Sequence, residues 1–145
     1  MAWLDRGDGV KLAYDKREGA GPTLVFLPGY NSNRQGTKAV ALDLWCEQFG
    51  RALLRLEYSG HGDSEGPLEG GTIGGWAEDA ARVIQHAAPG PLVLVGSSMG
   101  GWIALLLARK FGARVAGIVL IAPAVNYSED LLWGKLNPFQ QRQVM

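Results

Sequence analysis

The chain of 145 residues is long enough to fold as one domain with a buried core, and 47% of it is hydrophobic against 19% charged. Its 14 basic and 14 acidic side chains cancel, so neither a nucleic-acid-binding surface nor an acidic tail is expected. The apolar runs are short and interrupted by glycine and proline, which argues against a membrane-spanning helix.

Cysteine and histidine usage narrows the chemistry further. The single cysteine, Cys46, excludes an internal disulfide, and its helical surroundings favour inert packing over a reactive thiol. With only His61 and His86, and no Cys/His cluster, the sequence predicts no metal site, and we expect no cofactor. Met1 to Asp5 lacks the pattern of a signal or transit peptide, so the predicted location is the cytoplasm.

Taken in chain order, the first half predicts a hairpin and then an alternation of strand and helix. The predicted elements are strands at Ala2 to Asp5 and Val10 to Asp15 across a Gly7-Asp8-Gly9 turn, a polar loop from Asp15 to Gly21, a strand at Thr23 to Leu27, and a helix from Thr37 to Phe49. Gly50 follows as a helix stop.

The second half continues the alternation. Its predicted elements are a strand at Ala52 to Leu56, a glycine-rich loop from Glu57 to Gly71, a helix from Ile73 to Ala88, a strand at Leu92 to Val95, a helix from Trp102 to Lys110 and a strand at Val115 to Ile121. This alternation predicts an α/β fold with a mostly parallel, doubly wound sheet covered by helices on both faces.

The segment from Gly96 to Gly100 carries the strongest chemical signal. It reads Gly-Ser-Ser-Met-Gly between a predicted strand and a predicted helix, which is the pattern of a nucleophile elbow with Ser98 at its centre. Such a turn holds the serine in a strained conformation and exposes its hydroxyl at the edge of the sheet. Ser98 is therefore the predicted nucleophile, and the alternative is a glycine-rich structural turn.

A second loop leaves the sheet at the same predicted edge. Leu27-Pro-Gly-Tyr30 follows a strand whose carboxyl end lies where ligands bind in such sheets. The backbone amides of Tyr30 and Met99 could face Ser98 together and form an oxyanion hole. The alternative for Pro28-Gly29 is a plain turn.

These motifs together resemble the alpha/beta-hydrolase family. Leu27-Pro-Gly-Tyr30 is similar to its oxyanion loop, Glu57-Tyr-Ser-Gly-His-Gly-Asp-Ser64 to its glycine-rich loop, and Gly-Ser-Ser-Met-Gly-Gly-Trp102 to its elbow. Within the family, the Gly-Thr-Lys-Ala stretch at 36–39 and Tyr-Ser-Gly at 58–60 add a closer likeness to hydrolases of the acyl-glucuronide esterase and palmitoyl-protein thioesterase type.

The resemblance implies hydrolysis of a small-molecule carboxylic ester or thioester through an acyl-serine intermediate. It assigns Ser98 as nucleophile and the amides of Tyr30 and Met99 as oxyanion donors. It also implies substrate contacts for Gly29, His61 and Trp102, and no metal or cofactor.

The family supplies its acid and its histidine after the elbow, in the order serine, acid, histidine. No histidine follows His86 in this chain, and none of Asp63, Glu129 and Asp130 is assigned to the triad. His61 is expected to lie near the site mouth, and the alternative for it is to replace the base.

We therefore expect a fragment, in which residues 1–122 form part of the core of a single domain and residues 123–145 begin a lid. Short helices are predicted from Ser128 to Trp133 and from Asn137 onward. Such a fragment should be nearly inactive, and its strand at Val115 to Ile121 should be an unpaired, aggregation-prone edge.

Other functions compete with this hypothesis. A shortened hydrolase-like domain could bind an acyl ligand or a partner chain without catalysis, as the absent base favours. Within the family, an N-terminal peptidase or a lipase would share these motifs. A haloalkane dehalogenase is disfavoured, because it would carry aspartate in place of Ser98. The sequence does not predict an oligomeric state.

Overall fold

The computed structural model describes residues 1–121, which form a six-stranded mixed sheet and three α-helices. The strands are β1 (Ala2–Asp5), β2 (Lys11–Arg17), β3 (Ala20–Leu27), β4 (Arg51–Leu56), β5 (Leu92–Ser97) and β6 (Val115–Ile121), and the helices are α1 (Thr37–Phe49), α2 (Ile73–Ala87) and α3 (Met99–Phe111). A 3-10 turn at Gly112–Arg114 joins α3 to β6. The predicted lid, with Glu129 and Asp130, lies outside the described residues.

The order of the strands brings the two motif-bearing loops together. The sheet runs β1-β2-β4-β3-β5-β6, antiparallel from β1 to β4 and parallel across the remaining pairs. From β3 the chain continues to β4 on one side, and β5 then pairs on the other side of β3. Ligands bind at such a switch point, beyond the carboxyl ends of the strands. Leu27 at the end of β3 lies opposite Gly96 of β5.

Helices cover both faces of the sheet, as predicted. Leu92 and Leu94 of β5 belong to the larger hydrophobic core, which α2 and α3 complete. Val95 belongs to a smaller core with Ala39 of α1, and Val93 packs against it. Because successive side chains of a strand point to opposite faces, α1 lies on one face of the sheet and α2 and α3 lie on the other.

The predicted loop from Asp15 to Gly21 is reduced to residues 18 and 19, because β2 extends to Arg17 and β3 begins at Ala20. The polar stretch from Asp15 to Arg17 is strand rather than loop, because β4 pairs with it and brings Arg55 opposite Asp15. Helix α3 begins at Met99 rather than at Trp102, directly after Ser98. Among residues 1–121, no helix has the length and hydropathy needed to cross a bilayer.

Candidate active site

Ser98 occupies a strained turn between β5 and α3. Its φ of 57° and ψ of −122° lie in a region that side-chain-bearing residues rarely adopt. Two hydrogen bonds hold the turn: the Ser98 amide donates to the Ile121 carbonyl at 2.9 Å, and the Gly101 amide donates to the Ser98 carbonyl at 2.9 Å. Ser98 is exposed although Ser97 and Met99 beside it are buried. The turn therefore presents one hydroxyl at the carboxyl edge of the sheet.

The glycines on either side of Ser98 are required by close backbone contacts. A Cβ at position 96 would lie 2.6 Å from the Cα of Gly101, closer than real Cβ atoms come. A Cβ at Gly100 would overlap the Leu27 carbonyl oxygen and lie 2.8 Å from that of Pro28. Helix α3 thus starts in direct contact with the loop that follows β3.

That loop, residues 27–30, also touches Ser98 itself. A Cβ on Gly29 would lie 3.1 Å from the Ser98 Cβ and 3.6 Å from its Oγ. Tyr30 follows Gly29 in a turn that the Ser32 amide closes by donating to the Gly29 carbonyl at 3.1 Å. Met99 is the first residue of α3, so its amide has no acceptor within the helix. This arrangement can stabilise negative charge on an oxygen bound beside Ser98.

An aromatic cluster supports the 27–30 loop from one side. The exposed ring of Tyr30 lies 6.1 Å from the His61 ring and 5.8 Å from that of Trp76, measured between centroids. His61 is 0% exposed and Trp76 only 5% exposed, so Tyr30 forms the outer layer of the cluster.

His61 is buried rather than open at the site mouth. Its Nδ1 lies 3.0 Å from the Ser59 carbonyl oxygen, to which it must donate, and its Nε2 has no hydrogen-bond partner within residues 1–121. No hydrogen bond joins it to Ser98 in the described part of the chain, so this geometry does not make it a base for that hydroxyl. Trp102, by contrast, is half-buried in the first turn of α3, close to Ser98 in sequence.

The two remaining titratable candidates, His86 and Asp63, contact other parts of the protein. His86 lies in the last turn of α2, where the centroid of its ring is 6.1 Å from that of the Tyr14 ring on β2. The Asp63 carboxylate accepts a hydrogen bond from Arg34 at 3.0 Å.

Sequence reasoning missed a buried ion pair that links two loops of the site. Arg34 and Glu57 are 2% and 1% exposed, and their Nη1 and Oε1 atoms are 2.6 Å apart. Glu57 also accepts from the Arg34 amide at 3.0 Å and from the Asp63 amide at 2.9 Å. Burial opposes the charge of Arg34, but hydrogen bonds to Asp15 and Asp63 and the charge of Glu57 outweigh it, so its pKa is raised.

A lysine near the elbow was also missed. The Lys38 ammonium donates to the hydroxyl of Ser97 at 3.4 Å, which brings a positive charge beside the residue that precedes Ser98. The only sequence signal is its place in the Gly-Thr-Lys-Ala stretch at 36–39.

Comparison with known proteins gives consistent matches. Residues 20–144 match the family model described as serine aminopeptidase, S33. Palmitoyl-protein thioesterase ABHD10, mitochondrial, of Bos taurus is 42% identical over 126 residues, which are 87% of this chain and 41% of that protein. The Homo sapiens protein of the same name is 40% identical over 126 residues, with the same two shares of 87% and 41%.

A solved structure agrees with these relatives. Alpha/beta hydrolase domain-containing protein 10 from mouse superposes with a TM-score of 0.83 at 36% identity, covering 97% of this chain and 56% of the mouse chain. The matches confirm the resemblance and the fold class predicted from the sequence. The chain spans less than half the length of the two curated relatives.

The same comparison corrects the predicted location. The first residues carry no recognisable leader pattern and predict a cytoplasmic protein. The relatives are named as mitochondrial proteins, so that prediction is wrong.

Proposed function

We propose that this chain, which belongs to the serine aminopeptidase S33 family of alpha/beta hydrolases, carries the nucleophile of an enzyme that cleaves carboxylic esters or thioesters. The observation that carries the proposal is the strained, exposed Ser98 with the backbone of Gly29 packed against its Cβ. The names of the ABHD10 relatives support an acyl thioester as one substrate class.

In the proposed reaction, the Ser98 Oγ attacks the acyl carbon, its proton passes to a base, and the carbonyl electron pair moves onto oxygen. The amides of Tyr30 and Met99 donate to that oxyanion, and each such donor is worth roughly 3 kcal/mol of barrier lowering. Collapse of the intermediate expels the alcohol or thiol, which takes the proton from the base. Water then attacks the acyl-serine ester, which releases the carboxylic acid and returns the hydroxyl to Ser98.

The attack needs a base, and the histidine that would serve is not among the residues after Ser98. Since the relatives are more than twice as long as the matched region, we propose that the acid and the histidine lie in sequence beyond these 145 residues. The intact mass of the native gene product tests this: a mass well above 15.6 kDa is expected, and a mass of 15.6 kDa contradicts it.

Labelling by a fluorophosphonate tests the role of Ser98. The native gene product should form an adduct that peptide mass spectrometry locates on Ser98. Ser98→Ala should abolish labelling, whereas Ser97→Ala, which changes the buried neighbouring serine, should retain it. Labelling that survives Ser98→Ala would remove the basis of the proposal.

Substrate comparison separates the proposed activity from that of an aminopeptidase. We expect turnover of p-nitrophenyl acyl esters and acyl thioesters, and at least about tenfold lower kcat/KM for amino-acid p-nitroanilides, a difference of about 1.4 kcal/mol in transition-state binding. Faster cleavage of the anilides would favour the peptidase instead.

A second candidate is a non-catalytic domain that binds an acyl ligand. The observation in its favour is the lack of any histidine after Ser98 in this sequence. A native mass of 15.6 kDa together with no fluorophosphonate adduct would select this function over hydrolysis.

A further inference from the structure

Tyr58 is a buried side chain that contacts the 27–30 loop and has no part in the proposed chemistry. It is the second residue after the end of β4 and is 0% exposed. Its hydroxyl donates to the Pro28 carbonyl oxygen at 2.8 Å. Burial raises the pKa of this phenol well above its ordinary value, so the hydroxyl keeps its proton and remains a donor.

The Pro28 carbonyl is confined on its other side by the start of α3. A Cβ at Gly100 would lie 2.8 Å from this oxygen, so the loop carbonyl rests close to the Gly100 backbone. Because a peptide unit is planar and rigid, fixing the direction of the Pro28 carbonyl also fixes the direction in which the chain enters Gly29. Tyr30, whose amide is the proposed oxyanion donor, is the next residue.

Glu57, the neighbour of Tyr58, holds the chain at a point beyond the 27–30 loop. Glu57 accepts hydrogen bonds from both the amide and the guanidinium of Arg34, four residues after Tyr30. Glu57 and Tyr58, the two residues that follow β4, thus hold the chain on each side of Tyr30, at positions 34 and 28. Tyr58 holds the end of this segment that is nearer to Ser98, where Gly29 packs against the Ser98 Cβ.

We infer that Tyr58 is a positioning residue for the oxyanion site: its hydrogen bond to Pro28 orients the 27–30 loop so that the Tyr30 amide faces the developing charge. The inference rests on the proposed function and names no contact between Tyr58 and substrate. Loss of the Tyr58–Pro28 hydrogen bond should weaken transition-state stabilisation more than substrate binding. Displacement of a catalytic donor by about 1 Å costs on the order of 100-fold in rate.

The test compares Tyr58→Phe with the unchanged full-length native gene product. We expect kcat for a p-nitrophenyl ester to fall by roughly 10- to 100-fold with KM within about twofold, and fluorophosphonate labelling of Ser98 to slow in parallel. Tyr14→Phe is the matched control: it removes a phenol hydroxyl from another buried tyrosine of the sheet, on β2, and should leave both rates unchanged. Each rate is divided by the fraction of the protein that is labelled at Ser98 when the labelling reaction is complete.

Rescue distinguishes positioning from general stability. Replacing Tyr58 by 4-aminophenylalanine restores a donor at the same ring position and should recover most of kcat. Unchanged kcat and labelling in Tyr58→Phe would overturn the inference, as would a Tyr58→Phe protein that no longer melts cooperatively, because the hydroxyl would then serve stability alone. If the unchanged protein forms no adduct at Ser98, the proposed function fails, and this inference fails with it.

Discussion

At the scale of single residues, the elbow depends on backbone contacts that only glycine allows. Gly100→Ala would place a Cβ over the Leu27 carbonyl oxygen and 2.7 Å from the Leu27 carbonyl carbon, both backbone atoms that cannot rotate away. We expect a loss of about 1–3 kcal/mol in the free energy of unfolding, as for other overpacked sites, together with slower labelling of Ser98.

The matched control is a glycine in open space. A Cβ at Gly74, in the first turn of α2, meets no atom within 4 Å. Gly74→Ala should therefore be neutral or stabilise the protein by up to about 1 kcal/mol, since alanine favours helix. Urea unfolding of both variants measures the difference, and equal stabilities would refute the steric argument.

His61 illustrates what residue patterns leave open. The sequence placed it in the glycine-rich loop and the resemblance implied a substrate contact, but the ring lies beneath Tyr30 and is fully buried. Whether a loop histidine faces solvent depends on which rings pack over it, and those rings come from positions 30, 58 and 76. Tyr58 belongs to the same loop, but Tyr30 and Trp76 lie outside it, and no local signal specifies that they pack against His61.

At the scale of elements, the strand and helix order was predictable because it follows from local periodicity and glycine stops. The polar strand at Asp15 to Arg17 was not, since it pairs with β4 and forms ion pairs with residues that are distant in the sequence. Arg17 donates to the Asp43 carboxylate of α1 at 2.9 Å, and Arg55 of β4 lies opposite Asp15. The Arg34–Glu57 pair was hidden for the same reason, as its members are 23 positions apart and meet only through the fold.

The contact between α1 and β2 predicts a specific acid sensitivity. The Arg17 hydrogen bond, opposed in part by burial, lowers the pKa of Asp43 below its ordinary value of 3.8. Because the folded state binds this proton less readily than the unfolded state, the stabilisation is full above the ordinary pKa of 3.8 and is lost as pH falls through the lower folded pKa.

Asp43→Asn should therefore flatten the dependence of unfolding free energy on pH in the acid range. Glu69→Gln, which changes an exposed carboxylate of the 57–71 loop, should leave the acid slope as it was. Chemical denaturation between about pH 2 and pH 6 is the measurement, spanning the ordinary range of carboxyl pKa values. A slope in Asp43→Asn equal to that of the unchanged protein would mean that the ion pair does not couple α1 to the sheet.

At the scale of the whole molecule, apolar surface is concentrated on α1 and at the edge strand β6. Val40, Leu44, Trp45 and Phe49 of α1 are 39% to 59% exposed. Val119 of β6 is 46% exposed, and within residues 1–121 this strand pairs only with β5. Clustered apolar side chains and an open strand edge both favour association. A formal net charge of zero adds no electrostatic repulsion to oppose it.

We therefore expect the 145-residue chain, expressed alone, to self-associate and to bind a hydrophobic dye such as anilinonaphthalene sulfonate. The double variant Leu44→Lys, Phe49→Lys removes the two most exposed apolar side chains of α1 and adds positive charge. It should reduce dye fluorescence several-fold and shift sedimentation toward the monomer, since association driven by apolar area weakens by roughly 25 cal/mol for each Å² withdrawn. Arg82→Lys on the exposed side of α2 preserves charge and surface, and serves as control. A chain that sediments as a monomer at micromolar concentration without binding dye would show that these exposed faces do not drive association.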